Sequence, residues 1–132
     1  MTYLLDTHAF LWAAFMPDKL SPAASTAIRQ SHNSIYLSSI SLWEISLKYA
    51  LGKIELTQCT PDDMPGIARQ MHIEIVSPTA EETATFYRLP RGNHKDPFDR
   101  MIIWQAIQQN MTLITKDAQI PDYTHFGLKT LW

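Results

Sequence analysis

Five acidic residues of this sequence share one kind of position, because each follows a segment predicted as a strand or opens one predicted as a helix. They are Asp6, Glu44, Asp96, Asp99 and Asp117. Clustered carboxylates resist ionisation unless a cation compensates their charge. Oxygen-only ligands favour Mg²⁺ or Mn²⁺ over zinc. Together the acids predict a site for one or two hard metal ions, of the kind that activates water and stabilises a pentavalent phosphate.

The elements that position these acids alternate between strands and helices. Apolar and β-branched runs predict a first strand that ends at Leu5 and further strands at 35–38, 73–76 and 112–115, and 128–132 could add a short fifth. Helical spacing, capping residues and first-turn prolines predict helices near 7–16, 23–31, 40–51, 61–71, 79–88 and 96–110. Such alternation is typical of a three-layer α/β/α domain with a central parallel sheet, here of four to five strands. In these folds, ligands bind beyond the carboxyl ends of the strands.

Most of the acids also have a structural explanation. Asp6 or Thr7 could cap the helix that follows, by accepting hydrogen bonds from its first amide groups. Asp117 could belong to a turn or cap a short helical segment. Asp96 stands directly before a proline, as an N-cap residue does. This leaves Asp99 as the preferred metal ligand of that pair, with Asp96 as an auxiliary one.

Glu44 has two structural alternatives of its own. Ser41 precedes it by three residues, in the pattern of a capping box, and Lys48 follows one turn later, where it could form an ion pair. Glu44 nevertheless shares its side of the helix with the apolar residues Trp43 and Leu47. An unpaired carboxylate is costly among apolar neighbours, so this placement favours a functional role.

Length, composition and charge narrow the class of protein. The 132 residues predict a single domain over 1–132, with 45% hydrophobic and 18% charged residues. The net charge of −2 excludes a global basic field, so any nucleic acid must bind a local patch. The single cysteine, Cys59, fits a reducing compartment. No basic leader precedes the first strand, and the longest apolar run is too short for a bilayer, so we expect a cytoplasmic location without membrane contact.

Basic, histidine and tryptophan residues carry weaker signals. The predicted acidic helix has basic residues before, within and after it: Arg88, Arg91, Lys95, Arg100 and Lys116. Charged loops are usually just solvated, but an anionic polymer needs such contacts to approach a carboxylate cluster. The histidines lack metal-ligand spacing, although one of them precedes the acidic helix: His8, His32, His72, His94 and His125. The helical tryptophans are expected in the core or at an interface: Trp12, Trp43 and Trp104.

Four motifs in order give the sequence a family resemblance over essentially its whole length. They are Leu4-Leu5-Asp6-Thr7-His8, Ser41-Leu42-Trp43-Glu44-Ile45, Asp96-Pro97-Phe98-Asp99-Arg100-Met101-Ile102-Ile103-Trp104-Gln105-Ala106 and Leu113-Ile114-Thr115-Lys116-Asp117. With them the chain resembles the PIN-domain family, and particularly the VapC-type toxins of bacterial toxin–antitoxin pairs.

The resemblance implies a metal-dependent endoribonuclease that hydrolyses RNA phosphodiester bonds, forms a homodimer and is inhibited by a small partner antitoxin. Asp6, Glu44, Asp99 and Asp117 would then be the carboxylates around Mg²⁺ or Mn²⁺, with Thr7 and Thr115 as supporting polar groups. Arg91, Lys95, Arg100 and Lys116 would contact the RNA backbone. The Asp96–Asp99 stretch offers two acids where the family pattern needs one.

Two other functions remain as alternatives. A phosphatase of the haloacid dehalogenase type would use Asp6 as its nucleophile, but that family has a second aspartate two residues later, where this sequence has His8. The other alternative is a non-catalytic module that binds RNA or protein. The presence of all four expected acids argues against a decayed site.

Overall fold

Five parallel strands form the sheet at the centre of the fold. They are β1 (Thr2–Leu5), β2 (Ser34–Ser38), β3 (Ile73–Val76), β4 (Thr112–Ile114) and β5 (Lys129–Leu131), in the spatial order β3-β2-β1-β4-β5. Every neighbouring pair runs parallel. The strands β2 and β3 therefore lie on one side of β1, and β4 and β5, which come later in the chain, lie on the other side. The topology switches between β1 and β4, where α/β proteins bind ligands.

The computed structural model describes residues 1–92, 95–117 and 120–132, with 121 and 122 described by their backbone alone. Six α-helices lie in these ranges: α1 (Thr7–Phe15), α2 (Pro22–Arg29), α3 (Ser39–Ala50), α4 (Met64–Gln70), α5 (Ala80–Thr85) and α6 (Pro97–Gln108). Short 3₁₀ segments lie at Pro17–Lys19, Pro61–Asp63, Phe86–Arg88 and Ile120–Phe126. His94, noted above for its place before the acidic helix, lies outside the described residues.

The two faces of the sheet bury separate hydrophobic cores, which makes the fold a three-layer α/β/α structure. Alternate residues of a strand point to opposite faces. Leu5 accordingly packs with Phe10 of α1 and Ile45 of α3, whereas its neighbour Leu4 packs with Ile103 of α6 on the other face. All of these side chains are fully buried. The predicted fold class is confirmed, and the sheet has the larger of the two strand numbers expected.

A buried polar bridge fixes α6 against the carboxyl edge of the sheet. Gln105 of α6 is fully buried. Its Oε1 accepts a hydrogen bond from Ser38 Oγ at 2.6 Å, and its Nε2 donates to the carbonyl of Val76 at 3.3 Å. Ser38 Oγ also accepts from the amide of Ile40 and thereby caps α3. One side chain thus ties the ends of β2 and β3 to α6, at the level where the acids lie.

Local differences from the predicted elements have local causes. The helix expected over 79–88 is α-helical only to Thr85, after which a 3₁₀ turn continues to Arg88. The segment Ile120–Phe126 forms a 3₁₀ helix, which agrees with the short helical segment considered after Asp117. Gly52 follows the C-cap residue of α3 and adopts φ +72°, a conformation that glycine takes without steric cost. Among the described residues, no helix has the length and apolarity needed to cross a membrane.

We expect truncation of a buried aromatic side chain beneath α1 to destabilise the fold strongly. Phe10 is fully buried, so Phe10→Ala should lower the free energy of unfolding by about 3–5 kcal/mol. Phe126 is 46% exposed and provides a matched control, for which we expect a loss of about 1 kcal/mol. Urea denaturation followed by circular dichroism measures both values. Equal losses in the two variants would contradict the assignment of Phe10 to the core.

Candidate metal centre

Asp6 stands at the carboxyl end of β1, in the middle of the sheet. Its amide N donates to the carbonyl of Ile114 at 3.1 Å, so the residue directly extends the pairing of β1 with β4. Its Oδ1 accepts from the amide of Ala9 at 2.7 Å, which makes it the N-cap of α1. The side chain is only 8% exposed. The capping role proposed for Asp6 is thus confirmed, and it occupies one carboxylate oxygen.

The surroundings of Asp6 disfavour its charge. Burial is the largest influence and raises the pKa of the Asp6 carboxyl above the ordinary value of 3.8. Hydrogen bonds from the Thr115 hydroxyl and the Ala9 amide, and the charge of His8, lower this pKa, while the charge of Asp117 raises it again. The net shift is upward. A cation beside Asp6 would remove this penalty, because an opposite charge favours the ionised carboxylate.

Glu44 of α3 is almost completely buried, at 2% exposure. Thr7 Oγ1 donates to Glu44 Oε1 at 2.5 Å and lies 2.9 Å from Ser41 Oγ. The other carboxylate oxygen, Oε2, forms an ion pair with Lys48 Nζ at 2.5 Å. The predicted pairing with Lys48 is therefore confirmed. The capping-box interpretation is wrong, since Ser38 caps α3 and Ser41 lies inside the helix, with its hydroxyl against Thr7.

Asp96 and Asp99 lie at the start of α6. Asp96 Oδ1 accepts from the amides of Phe98 at 2.9 Å and Asp99 at 3.4 Å, so its predicted role as an N-cap is confirmed. Carboxylate oxygens of Glu44, Asp96 and Asp99 all lie within 4.8 Å of one another. Lys48 Nζ is 3.9 Å from Asp96 Oδ2. The structure thus brings both acids of the Asp-Pro-Phe-Asp motif to Glu44.

Asp117 and Thr115 follow β4 on the other side of Asp6. Thr115 is buried, and its hydroxyl bonds to the Asp6 carboxylate and accepts from the amide of Asp117 at 3.1 Å. Asp117 is near enough for its charge to raise the pKa of Asp6. Thr115 therefore links the two acids that end adjacent strands.

The predicted acids form two groups that meet at the turn from β1 into α1. One group is Glu44, Asp96 and Asp99; the other is Asp6 with Asp117, joined by Thr115. Thr7 connects the groups, because it follows Asp6 in the chain and bonds to Glu44. Only the first group has the spacing of a metal site among residues 1–92, 95–117 and 120–132.

The donors in this first group suit a hard cation, since they are carboxylate oxygens without sulfur or imidazole. Opposite ligands of Mg²⁺ lie about 4.2 Å apart, twice the metal–oxygen distance of about 2.1 Å. The observed limit of 4.8 Å is slightly wider. The group fits Mg²⁺ or Mn²⁺ after a small contraction, or with water between one carboxylate and the ion.

The predicted basic residues differ in their surroundings. Arg91, Lys95 and Lys116 are exposed, and Lys116 Nζ lies 5.8 Å from the ring centre of Trp12. Arg100 is held by the protein itself, since its guanidinium donates to the carbonyl of Leu89 at 2.9 Å and lies 4.8 Å from the ring centre of Phe86. Arg100 therefore adds positive charge near the acids, but its hydrogen bond to Leu89 already uses one of its donor groups.

The tryptophans also separate into different environments. Trp104 is buried, and its indole N–H donates to the carbonyl of Glu82 at 3.0 Å. Trp12 is half-buried beside Trp132, with 5.8 Å between the ring centres. Trp43 is 60% exposed, so of the two places expected for it, core or interface, the core is excluded and the interface stays a prediction. Its ring contacts Phe98 edge-on, with 4.9 Å between the ring centres. Trp43 directly precedes Glu44 in sequence, and Phe98 lies between Asp96 and Asp99, so this contact borders the first acidic group.

Sequence reasoning missed two contributors to the site. The sequence pattern suggests Ser41 only as part of a capping box and Lys48 only as an ion-pair partner of Glu44. The available signal was helical spacing, because residues three and four positions apart share one face of a helix. That spacing places Ser41, Glu44 and Lys48 together, but it does not say which face is buried.

The arrangement agrees with comparisons to known proteins. The family model for the PIN domain matches residues 3–125. The chain belongs to the PIN domain family. It is 31% identical over 131 residues to Ribonuclease VapC22 of Mycobacterium tuberculosis, covering 99% of this chain and 98% of that one.

Solved structures share the fold of this PIN domain at lower sequence identity. VapBC2 from Rickettsia felis, bound to a promoter DNA fragment, matches with a TM-score of 0.69 and 20% identity, over 99% of this chain and 98% of that chain. VapBC-1 from nontypeable Haemophilus influenzae matches with a TM-score of 0.60 and 17% identity, over 99% and 97%. These likenesses confirm the fold.

We expect Asp6→Asn to stabilise the metal-free PIN domain at neutral pH. Asparagine keeps an oxygen for the Ala9 amide but carries no charge. The folded pKa of Asp6 is raised, so the folded wild type binds this proton more tightly than the unfolded chain does. Its stability therefore falls as pH rises from 3.8 through the folded pKa, and each pKa unit corresponds to about 1.4 kcal/mol.

Thermal melting in EDTA from about pH 3 to pH 8 measures the difference in stability between Asp6→Asn and wild type. The difference should vanish at the acid end and reach a plateau at neutral pH. The control is Asp18→Asn, which removes an exposed carboxylate. A variant that melts below wild type at pH 8 would contradict the upward pKa shift of Asp6.

Proposed function

We propose that this PIN domain is a metal-dependent endoribonuclease that hydrolyses RNA phosphodiester bonds, and that it is the toxin of a VapBC-type toxin–antitoxin pair. The observation that carries the proposal is the set of carboxylate oxygens from Glu44, Asp96 and Asp99 within 4.8 Å, beside Asp6 at the topological switch. The relative named a ribonuclease and the solved VapBC structures support it.

The metal ligands in this proposal are Asp6, Glu44, Asp99 and Asp117, with Asp96 as an auxiliary ligand. Asp99 and Glu44 supply oxygens of the compact group, and Asp96 uses its second oxygen, because Oδ1 already caps α6. Bound Mg²⁺ or Mn²⁺ would activate water and neutralise charge on the phosphate.

The remaining groups of the site orient these carboxylates. Thr7 fixes one oxygen of Glu44 through its hydroxyl. Thr115 bonds to Asp6 and to the amide of Asp117, which holds the second pair of acids at a set separation. Pre-positioned ligands avoid the entropic cost of ordering them when substrate and cation arrive.

RNA would approach along the exposed basic residues beside the acids. Arg91, Lys95 and Lys116 have exposed side chains, and Arg100 adds charge from its position over Phe86. The acidic site alone would repel an RNA backbone, so these cations supply the attraction that brings the phosphate to the metal. A cytoplasmic location is part of this proposal, and the single cysteine, which fits a reducing compartment, supports it.

Two protein partners belong to the same proposal. The exposed apolar residues of α3 and its end, Trp43, Leu47 and Leu51, would bury their surface in a homodimer. An antitoxin would use the apolar groove between α1 and the segment 54–57. The apolar residues that line this groove are Leu11, Trp12, Phe15, Met16, Ile54 and Leu56. The VapBC complexes among the structural relatives support a partner of this kind.

Replacement of Asp99 by asparagine should abolish cleavage while preserving the fold. Loss of one charged ligand from a hard-metal site should reduce the rate at least about 100-fold, more than the loss of groups that only orient ligands. Gel-based cleavage of RNA with Mg²⁺ measures the rate, and circular dichroism checks folding. Asp62→Asn, at an exposed carboxylate, is the control and should retain full activity.

Undiminished cleavage by Asp99→Asn, or by the wild type in excess EDTA, would overturn the metal-dependent mechanism. Mg²⁺ binding without turnover on any RNA would instead favour a non-catalytic binding module. A trapped aspartyl phosphate at Asp6 would favour a phosphatase, which membership of the PIN family argues against.

The double substitution Lys95→Ala/Lys116→Ala should weaken RNA binding to a similar extent for RNAs of different sequence. Both lysines are exposed beside the acids, and each lost phosphate contact should reduce the slope of log affinity against log salt by about 1. Fluorescence anisotropy at several salt concentrations measures this slope. Lys129→Ala is the control, because Lys129 is exposed at the start of β5, on the opposite edge of the sheet. An unchanged slope in the double variant would remove these lysines from the RNA surface.

A further inference from the structure

Lys48 directly contacts the compact acidic group. Its Nζ is 2.5 Å from Glu44 Oε2 and 3.9 Å from Asp96 Oδ2, so it joins two of the three carboxylates. The ring centre of Phe98 lies 6.0 Å from the same nitrogen. The ammonium group therefore lies between α3 and the start of α6, against two of the three carboxylates.

The surroundings of Lys48 are those of an interior ion pair rather than of a surface one. The side chain of Lys48 is 27% exposed and that of Glu44 is 2% exposed. Burial lowers the pKa of Lys48, but the hydrogen bond and charge of Glu44 and the charges of Asp96 and Asp99 outweigh it, and the net pKa is raised. Lys48 is therefore charged at neutral pH.

The Lys48 contact also engages the second carboxylate oxygen of Glu44. Oε1 accepts from Thr7 and Oε2 from Lys48, at 2.5 Å in each case. A cation that binds Glu44 directly at Oε2 must compete with the ammonium group for that oxygen. The same positive charge repels any divalent ion among the three carboxylates.

We propose that Lys48 is a resident counter-ion of the acidic group and the positioning residue of Glu44. It compensates the buried charge of Glu44 before a divalent cation binds, keeps the carboxylate aligned, and weakens the affinity for that cation. This inference rests on the proposed function, in which the acidic group binds a divalent metal ion.

A counter-ion and a merely structural ion pair lead to opposite expectations for metal binding. If Lys48 only held α3 in place, its loss would loosen the carboxylates and weaken the binding of a cation. If Lys48 compensates their charge, its loss removes a repulsive neighbour and frees Glu44 Oε2, so binding strengthens. In both cases the metal-free protein is destabilised, because Glu44 is left as an uncompensated buried charge.

The experiment compares Lys48→Met with wild type, using Mn²⁺ as the probe. Isothermal titration calorimetry measures Mn²⁺ affinity, and thermal melting is recorded in EDTA and at saturating Mn²⁺. We expect the variant to bind Mn²⁺ roughly tenfold or more tightly, as befits removal of a unit charge a few ångströms from the ion. It should melt below wild type in EDTA, and Mn²⁺ should reduce that difference.

Matched variants separate charge from shape. Lys48→Arg keeps the positive charge and should bind Mn²⁺ as wild type does. Lys53→Met removes an exposed lysine just beyond α3 and should change neither affinity nor melting temperature. If Lys48→Met is too unstable in EDTA, the double variant Lys48→Met/Glu44→Gln should recover stability, since both charges are then absent.

Cleavage kinetics provide a separate readout of positioning. In Lys48→Met, the metal concentration for half-maximal RNA cleavage should fall, while the rate at saturating metal should also fall because Glu44 is less well aligned. Equal or weaker Mn²⁺ binding by Lys48→Met, with binding by wild type intact, overturns this inference and leaves the proposed metal site standing. Failure of both proteins to bind Mn²⁺ overturns both proposals together.

Discussion

The burial of a carboxylate charge is the constraint on which the rest of the site depends. Glu44 is 2% exposed in the middle of α3, where an uncompensated charge would cost several kcal/mol. Thr7 and Lys48 compensate this charge, because each of them donates to one carboxylate oxygen of Glu44. Thr7 reaches Glu44 only because β1 ends at Leu5 and α1 begins directly after Asp6. The tight turn from strand to helix is therefore fixed both by the sheet and by the charge of Glu44.

The acids at helix starts, Asp6 and Asp96, can each cap a helix and contact a second partner at the same time. Asp6 and Asp96 each use an oxygen to cap a helix, α1 and α6 respectively. A carboxylate has two oxygens and several lone pairs, so capping leaves acceptor capacity for a second partner. In Asp6 the second partner is Thr115, and in Asp96 the other oxygen faces Lys48. Capping also fixes the side-chain rotamer, which an ordered ligand set needs.

The placement of α6 over the sheet depends on a polar contact in an otherwise apolar layer. Gln105 bonds to Ser38 at the end of β2 and to the carbonyl of Val76 at the end of β3. A buried amide has few acceptable arrangements, so it restricts both the rotation and the sliding of the helix. Asp99 lies almost two turns before Gln105 on α6. The distance between Asp99 and Glu44 thus depends on a residue with no chemical role of its own.

Aromatic and basic side chains that are not part of the two acidic groups lie near them. Trp43 and Phe98 contact each other at the mouth of the compact acidic group, and Lys116 lies near the ring of Trp12. Such contacts bring together aromatic and basic side chains near the acids, and these are the two kinds of group that contact the bases and phosphates of single-stranded nucleic acids.

The sequence by itself determined four strands and indicated a fifth, and it determined the order of strands and helices along the chain. It also identified the cap at Asp96 and narrowed the cap of α1 to Asp6 or Thr7. These features follow from local rules, because side-chain periodicity, turn chemistry and capping act within a few residues. Only the tertiary structure decided the contacts of Thr7 with Ser41 and Glu44 and of Ser38 with Gln105, which join residues 34 to 67 positions apart. It also decided that Trp43 faces outward and that Lys48 lies among the acids. Helical spacing defines the faces of a helix, but packing against the sheet selects which face is buried.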